Sequence, residues 1–222
     1  MSDLNRWAEK LTEEVYEKWR SKYPSKEGFK VFYGPVKTCP KLLIISHNPG
    51  GNAKNFYKEN LSDYEKRNFS LPLENEYVTK DYILARNLKK FFASDMTLLE
   101  GSVAFPILFF RSKDVKSWKK KHKGRDRREM ENFCYVKVKD ILKKIKPKII
   151  LVIGFRTYHK LKKEKILDIV QEKPHKMDRL YAYSARSGNA AIFCTMHLSG
   201  ARLSTKEFEN SRKLFFGIVN NH

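Results

Sequence analysis

Lys41-Leu-Leu-Ile-Ile-Ser-His-Asn-Pro-Gly-Gly51 is the stretch from which the rest of the chain can be read. Leu42 to Ile45 are four consecutive branched apolar residues, the composition of a short strand covered on both faces, as in a parallel sheet. Ser46 to Gly51 cannot prolong that strand. Pro49 has no N–H to donate, and Gly50 and Gly51 give backbone freedom and room for a ligand. His47 and Asn48 are therefore expected at the carboxyl end of a central strand, where open α/β sheets bind their ligands. A plain strand-to-loop exit fits the same Asn-Pro-Gly triplet, so the loop gains meaning only together with others.

Upstream, the spacing of Leu4, Trp7, Leu11, Val15 and Trp19 predicts a helix over Asp3 to Tyr23 with both tryptophans in the core. Pro24 to Gly28 breaks it, and Lys30 to Tyr33 reads as a short edge strand. Downstream, Asn52 to Thr79 has no steady period, the pattern of a binding loop or lid. Phe56 and Tyr57 in it are either an aromatic wall for a flat ligand or anchors of the loop. Asp81 is placed to cap a helix through about Ala93. Val103 to Phe110 is apolar but contains Pro106, which points to an edge position, a bulge or the end of a strand.

Arg111 to Arg128 holds ten Lys and Arg against Asp114 and Asp126. Such a run repels itself and is expected to be solvated or partly mobile. With Trp118 and His122 interleaved, and Lys119, Lys120 and Lys121 in a row, it is also a candidate for phosphate contacts. Glu129 to Lys146 returns to helical spacing and ends at Pro147. Ile149 to Ile153 is the clearest buried strand; Gly154 closes it and a helix follows from about Thr157, giving a βαβ-type unit. Leu180 to Ala185 and Ala190 to Thr195 read as a hairpin around Ser187-Gly188-Asn189. Ser204 to Glu207 is a capping box that opens the last helix.

The totals bound what these elements build. A chain of 222 residues, 41% hydrophobic, suits one α/β domain with a packed core, here 1–222 with 1–30 as an N-terminal helical extension. The expected architecture is a three-layer α/β/α sandwich around a central, mainly parallel sheet of four or five strands. Lys and Arg number 46 against 25 acids, a net charge of +21. That excess favours a polyanionic partner, nucleic acid first and an anionic membrane surface second. Cys39, Cys134 and Cys194 are scattered and cannot all be paired, which suits a reducing compartment. With no signal-peptide pattern and no apolar run of membrane-spanning length, a soluble, cytoplasmic protein without a membrane partner is expected.

Two polar loops thus leave two strands near opposite ends of the chain, one with His47 and Asn48, the other with His197 and Ser199. In this the chain resembles the uracil-DNA glycosylase superfamily. Ser46-His47-Asn48-Pro49-Gly50 is similar to its first motif, Gly-x-Asn-Pro-Gly, and His197-Leu198-Ser199-Gly200 to its second, His-Pro-Ser. Between them, Lys146 to Gly154 is similar to its Pro-Lys, apolar strand and glycine segment. The likeness runs in order over roughly Lys41 to Phe216. It implies a DNA glycosylase that flips a uracil or a related deaminated or damaged base out of the stack and hydrolyses its N-glycosidic bond, leaving an abasic site for base excision repair.

By the same resemblance Asn48 positions the water and His197 donates to the base carbonyl. His47 and either Phe56 or Tyr57 contact the base. Gly50, Gly51, Ser199 and Gly200 hold the strand, and Arg202 or Leu203 fills the gap left by the base. DNA is the implied partner, a monomer the implied state, and neither a cofactor nor a metal is required. Three departures accompany the likeness: Ser46 for glycine, Leu198 for proline, and no asparagine within Val103 to Phe110, where many relatives read the base edge. The alternatives are a catalytically weak or inactive relative that binds nucleic acid, and an unrelated α/β protein that uses the Asn-Pro-Gly loop for a nucleotide or another small anion.

Overall fold

The computed structural model describes residues 2–22, 27–50, 56, 61–198 and 203–221. In chain order the described elements are α1 (Asp3–Lys22), β1 (Leu42–Ser46), α2 (Ser62–Glu65), α3 (Glu76–Thr79), α4 (Ile83–Phe91), α5 (Met96–Glu100), β2 (Val103–Pro106), α6 (Val115–Lys121), α7 (Gly124–Ile145), β3 (Ile149–Ile153), α8 (Phe155–Lys163), β4 (Val170–Lys176), β5 (Leu180–Ser187), β6 (Ala190–Thr195) and α9 (Thr205–Asn220). The strands form one sheet in the order β2-β1-β3-β6-β5-β4. β2, β1, β3 and β6 are mutually parallel, and β5 and β4 extend the sheet antiparallel.

Every residue of β1, β2, β3 and β6 is buried, so these strands need cover on both sides. Side chains of a strand alternate between faces. Leu43, Ile45, Ile150 and Val152 join one core with Trp19 of α1, Val138 of α7 and Leu161 of α8. Leu42, Ile44, Leu151 and Ile153 join a second core with Leu88 of α4, Leu99 of α5 and Phe215 of α9. The result is the three-layer α/β/α sandwich, with α1 a working part of one layer rather than an extension beside it.

The sheet has six strands where four or five were expected. The added one is β4, which is exposed along almost its whole length and carries Pro174 and register shifts, so no apolar alternation marks it in the sequence. Pro106 lies where its chemistry permits: β2 is an edge strand, and the amides that pair with β1 beyond it come from Ile107 and Leu108. Lys30 to Tyr33 is not a strand; a single bridge joins Phe29 to Phe110. Asp81 does not cap α4. Tyr82 holds that position without a side-chain bond, and Asp81 pairs instead with Arg86 and Lys89. The capping box of Ser204 and Glu207 forms as expected.

The basic run is helical, and most of its cations are solvated as expected: Lys113, Lys116, Lys119, Lys120, Lys121, Lys123, Arg125 and Arg128 are exposed. Asp114 accepts from the Ser117 amide and starts α6. Trp118 is 1% exposed, its ring parallel to Phe110 and its indole N–H turned to Glu131. Burial of this one large aromatic fastens the cationic helix to the core.

Candidate functional site

The chain leaves β1 for β2 on one side of the sheet and returns to β3 on the other. The carboxyl ends of β1 and β3 therefore flank a topological switch point, the crevice where open α/β sheets bind ligands. A cleft of about 440 Å³ opens there. His47 reaches it from the end of β1. Trp118 and Lys119 come from α6, Glu131 from α7, and Arg156, His159, Lys160 and Lys163 from α8. The α8 residues follow the i, i+3, i+4, i+7 rule and so share one helical face. Lys160 is engaged by Glu131 at 3.3 Å and Glu164 at 3.0 Å. Among the described residues Lys119, Arg156 and Lys163 make no such pairing, which leaves an excess of positive charge around the opening.

The first loop is held from the β2 side. Ile107 N–H donates to the Ser46 carbonyl and Leu108 N–H to that of His47, each at 2.9 Å. Arg111 donates to the Gly50 carbonyl at 2.9 Å, and a side chain at Gly50 would meet nothing. The amide nitrogen of Asn48 faces the Ser112 carbonyl and hydroxyl, both at 3.0 Å, and the Pro49 carbonyl at 3.3 Å. Carbonyls only accept, and the Ser112 hydroxyl already donates to the Asp114 carbonyl, so this end of Asn48 must be the NH₂. The opposite end is then Oδ1, which has no partner among the described residues and is free to accept from a water.

His47 is 7% exposed. Its Nδ1 lies 3.4 Å from the Thr157 hydroxyl, which donates to the Ile153 carbonyl at 2.9 Å. With its proton committed, Thr157 can only accept, so Nδ1 carries the hydrogen and Nε2 keeps a lone pair. Burial first, then the charges of Arg156, His197, Lys160 and Lys119, lower the His47 pKa to about 4. The ring is neutral at physiological pH.

The second loop approaches over Gly154. A Cβ there would stand 3.3 Å from the His197 ring, and the φ of +91° is one that side-chain-bearing residues rarely adopt. Glycine at the end of β3 thus lets His197 close on the first loop. Burial lowers the His197 pKa as well, so it too is a neutral imidazole at pH 7. Asn87 of α4 donates to the Leu198 carbonyl at 2.6 Å and fixes the backbone of this motif.

Of the expected site residues, His47 and Lys119 line the cleft. Asn48 follows His47 at the end of β1, and His197 lies close enough to His47 for its charge to act on that ring, but neither Asn48 nor His197 is part of the lining. The structure removes Phe56, which is fully buried against Trp19, Phe29 and Tyr64; its ring occupies the space over Gly28. Leu203 packs on the second core. Lys120 is exposed on α6, and Lys121 pairs with Glu27. Tyr57, Gly51, Ser199, Gly200 and Arg202 lie outside the described residues. Residues that the sequence reading passed over are Ser112, Thr157 and Asn87, which orient the loops, and Glu131, Arg156, His159, Lys160 and Lys163, which line the cleft. The four-residue rhythm of the α8 cations directly after a buried strand was the available signal.

No protein-family model matches the chain, and no curated protein does. Among the described residues no helix is long and apolar enough to cross a membrane, and no three His, Cys, Asp or Glu side chains gather as a metal site would need.

Proposed function

We propose that the protein is a DNA glycosylase of the uracil-DNA glycosylase type, releasing uracil or a related deaminated or damaged base from DNA as a monomer and without a cofactor. The observation that carries this reading is the orientation of Asn48, whose amide nitrogen is tied to Ser112 and whose Oδ1 is left to hold a water. In the reaction the C1′–N bond breaks and its electron pair leaves with the base. The water oxygen bonds to C1′ and gives up a proton, and the base anion takes one up. Asn48 aims the water; as an amide it is too weak a base to take the proton early, which suits an electron-poor, late-attacked sugar carbon. His197, neutral, donates a hydrogen bond to the carbonyl oxygen on which charge develops.

The net charge of +21 and the unpaired Lys119, Arg156 and Lys163 support DNA as the partner, since phosphates are the charge such a surface complements. Three free cysteines, Cys134 and Cys194 buried, support an intracellular setting. The second reading, a nucleic-acid-binding relative without activity, is favoured by the end of β2. Ile107, Leu108 and Phe109 there are apolar and buried, and none can read a base edge. Incubation in excess with oligonucleotides carrying uracil, hypoxanthine, xanthine or a G·T mismatch, followed by alkali, separates the two. Strand scission at one of these supports the glycosylase; salt-sensitive binding with all strands intact supports the binder.

A further inference from the structure

A base pocket needs a group that reads the base edge, and the end of β2 offers none. The first loop does. His47 lines the cleft, its Nδ1–H is turned away to the buried Thr157, and Thr157 is fixed as an acceptor by its own bond to Ile153. That leaves Nε2, with its lone pair, as the ring nitrogen for which no partner is seen among the described residues. Lys119, Arg156 and Lys160 stand around it as donors.

We infer that His47 selects the base, accepting a ring N–H at Nε2 while the neighbouring cations donate to the carbonyl oxygens beside that N–H. This rests on the glycosylase reading and adds to it a rule of selection. Uracil carries an N–H at N3 and hypoxanthine at N1. Cytosine and adenine, from which deamination makes them, carry lone pairs at those positions and would meet the Nε2 lone pair. One acceptor thus separates both damaged bases from their parents. Guanine and thymine also carry a ring N–H, so discrimination against them must come from the ease of flipping a base out of its pair. The cleft volume of about 440 Å³ falls within the range of small-ligand pockets, about 300–1,000 Å³, and has room for a purine as well as a pyrimidine.

The test is calorimetric titration of uridine, cytidine, inosine and adenosine 5′-monophosphates into the full chain. The wild type should bind UMP over CMP and IMP over AMP, each by about tenfold or more, the worth of one hydrogen bond made against one polar clash. His47→Leu should bind the members of each pair equally. Thr157→Val keeps the shape of the site but frees the imidazole to place its hydrogen on Nε2, and should narrow or reverse the preference; a merely structural role for Thr157 would weaken all four nucleotides alike. Equal binding, or no binding, of the four nucleotides by the wild type overturns the inference. The glycosylase reading fails separately, by absence of base release from oligonucleotides.

Discussion

His47 should make the fold acid-sensitive by a calculable amount. Its pKa is about 4 in the folded protein, lowered chiefly by burial and then by Arg156, His197, Lys160 and Lys119. In the unfolded chain it returns to about 6.5, the ordinary value for histidine. The unfolded state therefore takes up the proton first, and stability falls as pH drops below about 6.5 and levels off below about 4. For this residue the loss is about 2 kcal/mol by pH 5 and on the order of 3 kcal/mol once both states are protonated. Urea unfolding of the wild type and of His47→Leu at pH 7.5 and pH 5 isolates the effect. His122 and His175 have lowered pKa values too, and their contribution is common to both proteins and cancels in the difference; the lowered His197 acts on His47 and is counted with it. The wild type should lose about 2 kcal/mol more than the variant between the two pH values. Equal losses would mean that His47 is not the buried, neutral ring on which its tautomer and its reading of the base depend.

Phe56→Ala should cost about 3–5 kcal/mol, seen as a fall in Tm, because it empties a ring-sized space between Trp19, Phe29 and Tyr64; a surface-like loss below about 0.5 kcal/mol would return this residue to the ligand side. Lys119→Ala should weaken DNA binding and reduce the slope of log K against log salt by roughly one, as expected for one phosphate contact; an unchanged slope would take α6 off the DNA path. Asn87→Ala frees the Leu198 carbonyl and should slow base release while leaving that slope unchanged. Parallel loss of both would assign Asn87 to the fold alone.

The strands that carry the site were legible because burial on both faces writes them as unbroken apolar runs, at Leu42 to Ile45 and Ile149 to Ile153. Their exits were legible because proline and glycine cannot continue them. β4 was not, since an exposed edge strand needs no alternation and Pro174 argues against one. In the basic run the exposed cations were legible but the helix and its anchor were not: ten cations in eighteen positions outweigh one tryptophan in any composition, yet Trp118 is the residue of α6 that enters the core. Phe56 shows the limit of position along the chain. It follows Asn48 by eight residues and still turns into the core, because Gly28, far away in sequence, leaves space for its ring. The loops' supports, Ser112, Thr157 and Asn87, are ordinary polar residues on other elements, and only tertiary structure brings them to Asn48, His47 and Leu198.

The most direct test of the central claim is single-turnover base release from a uracil- or hypoxanthine-containing oligonucleotide, read by alkaline scission, for the wild type, Asn48→Ala and His197→Ala. The wild type should release the base, with a fall of about a hundred- to thousandfold on removing the His197 donor and a comparable fall on removing Asn48, DNA binding being retained in both. Release that persists undiminished in Asn48→Ala, or none from the wild type on any deaminated base, would contradict that claim.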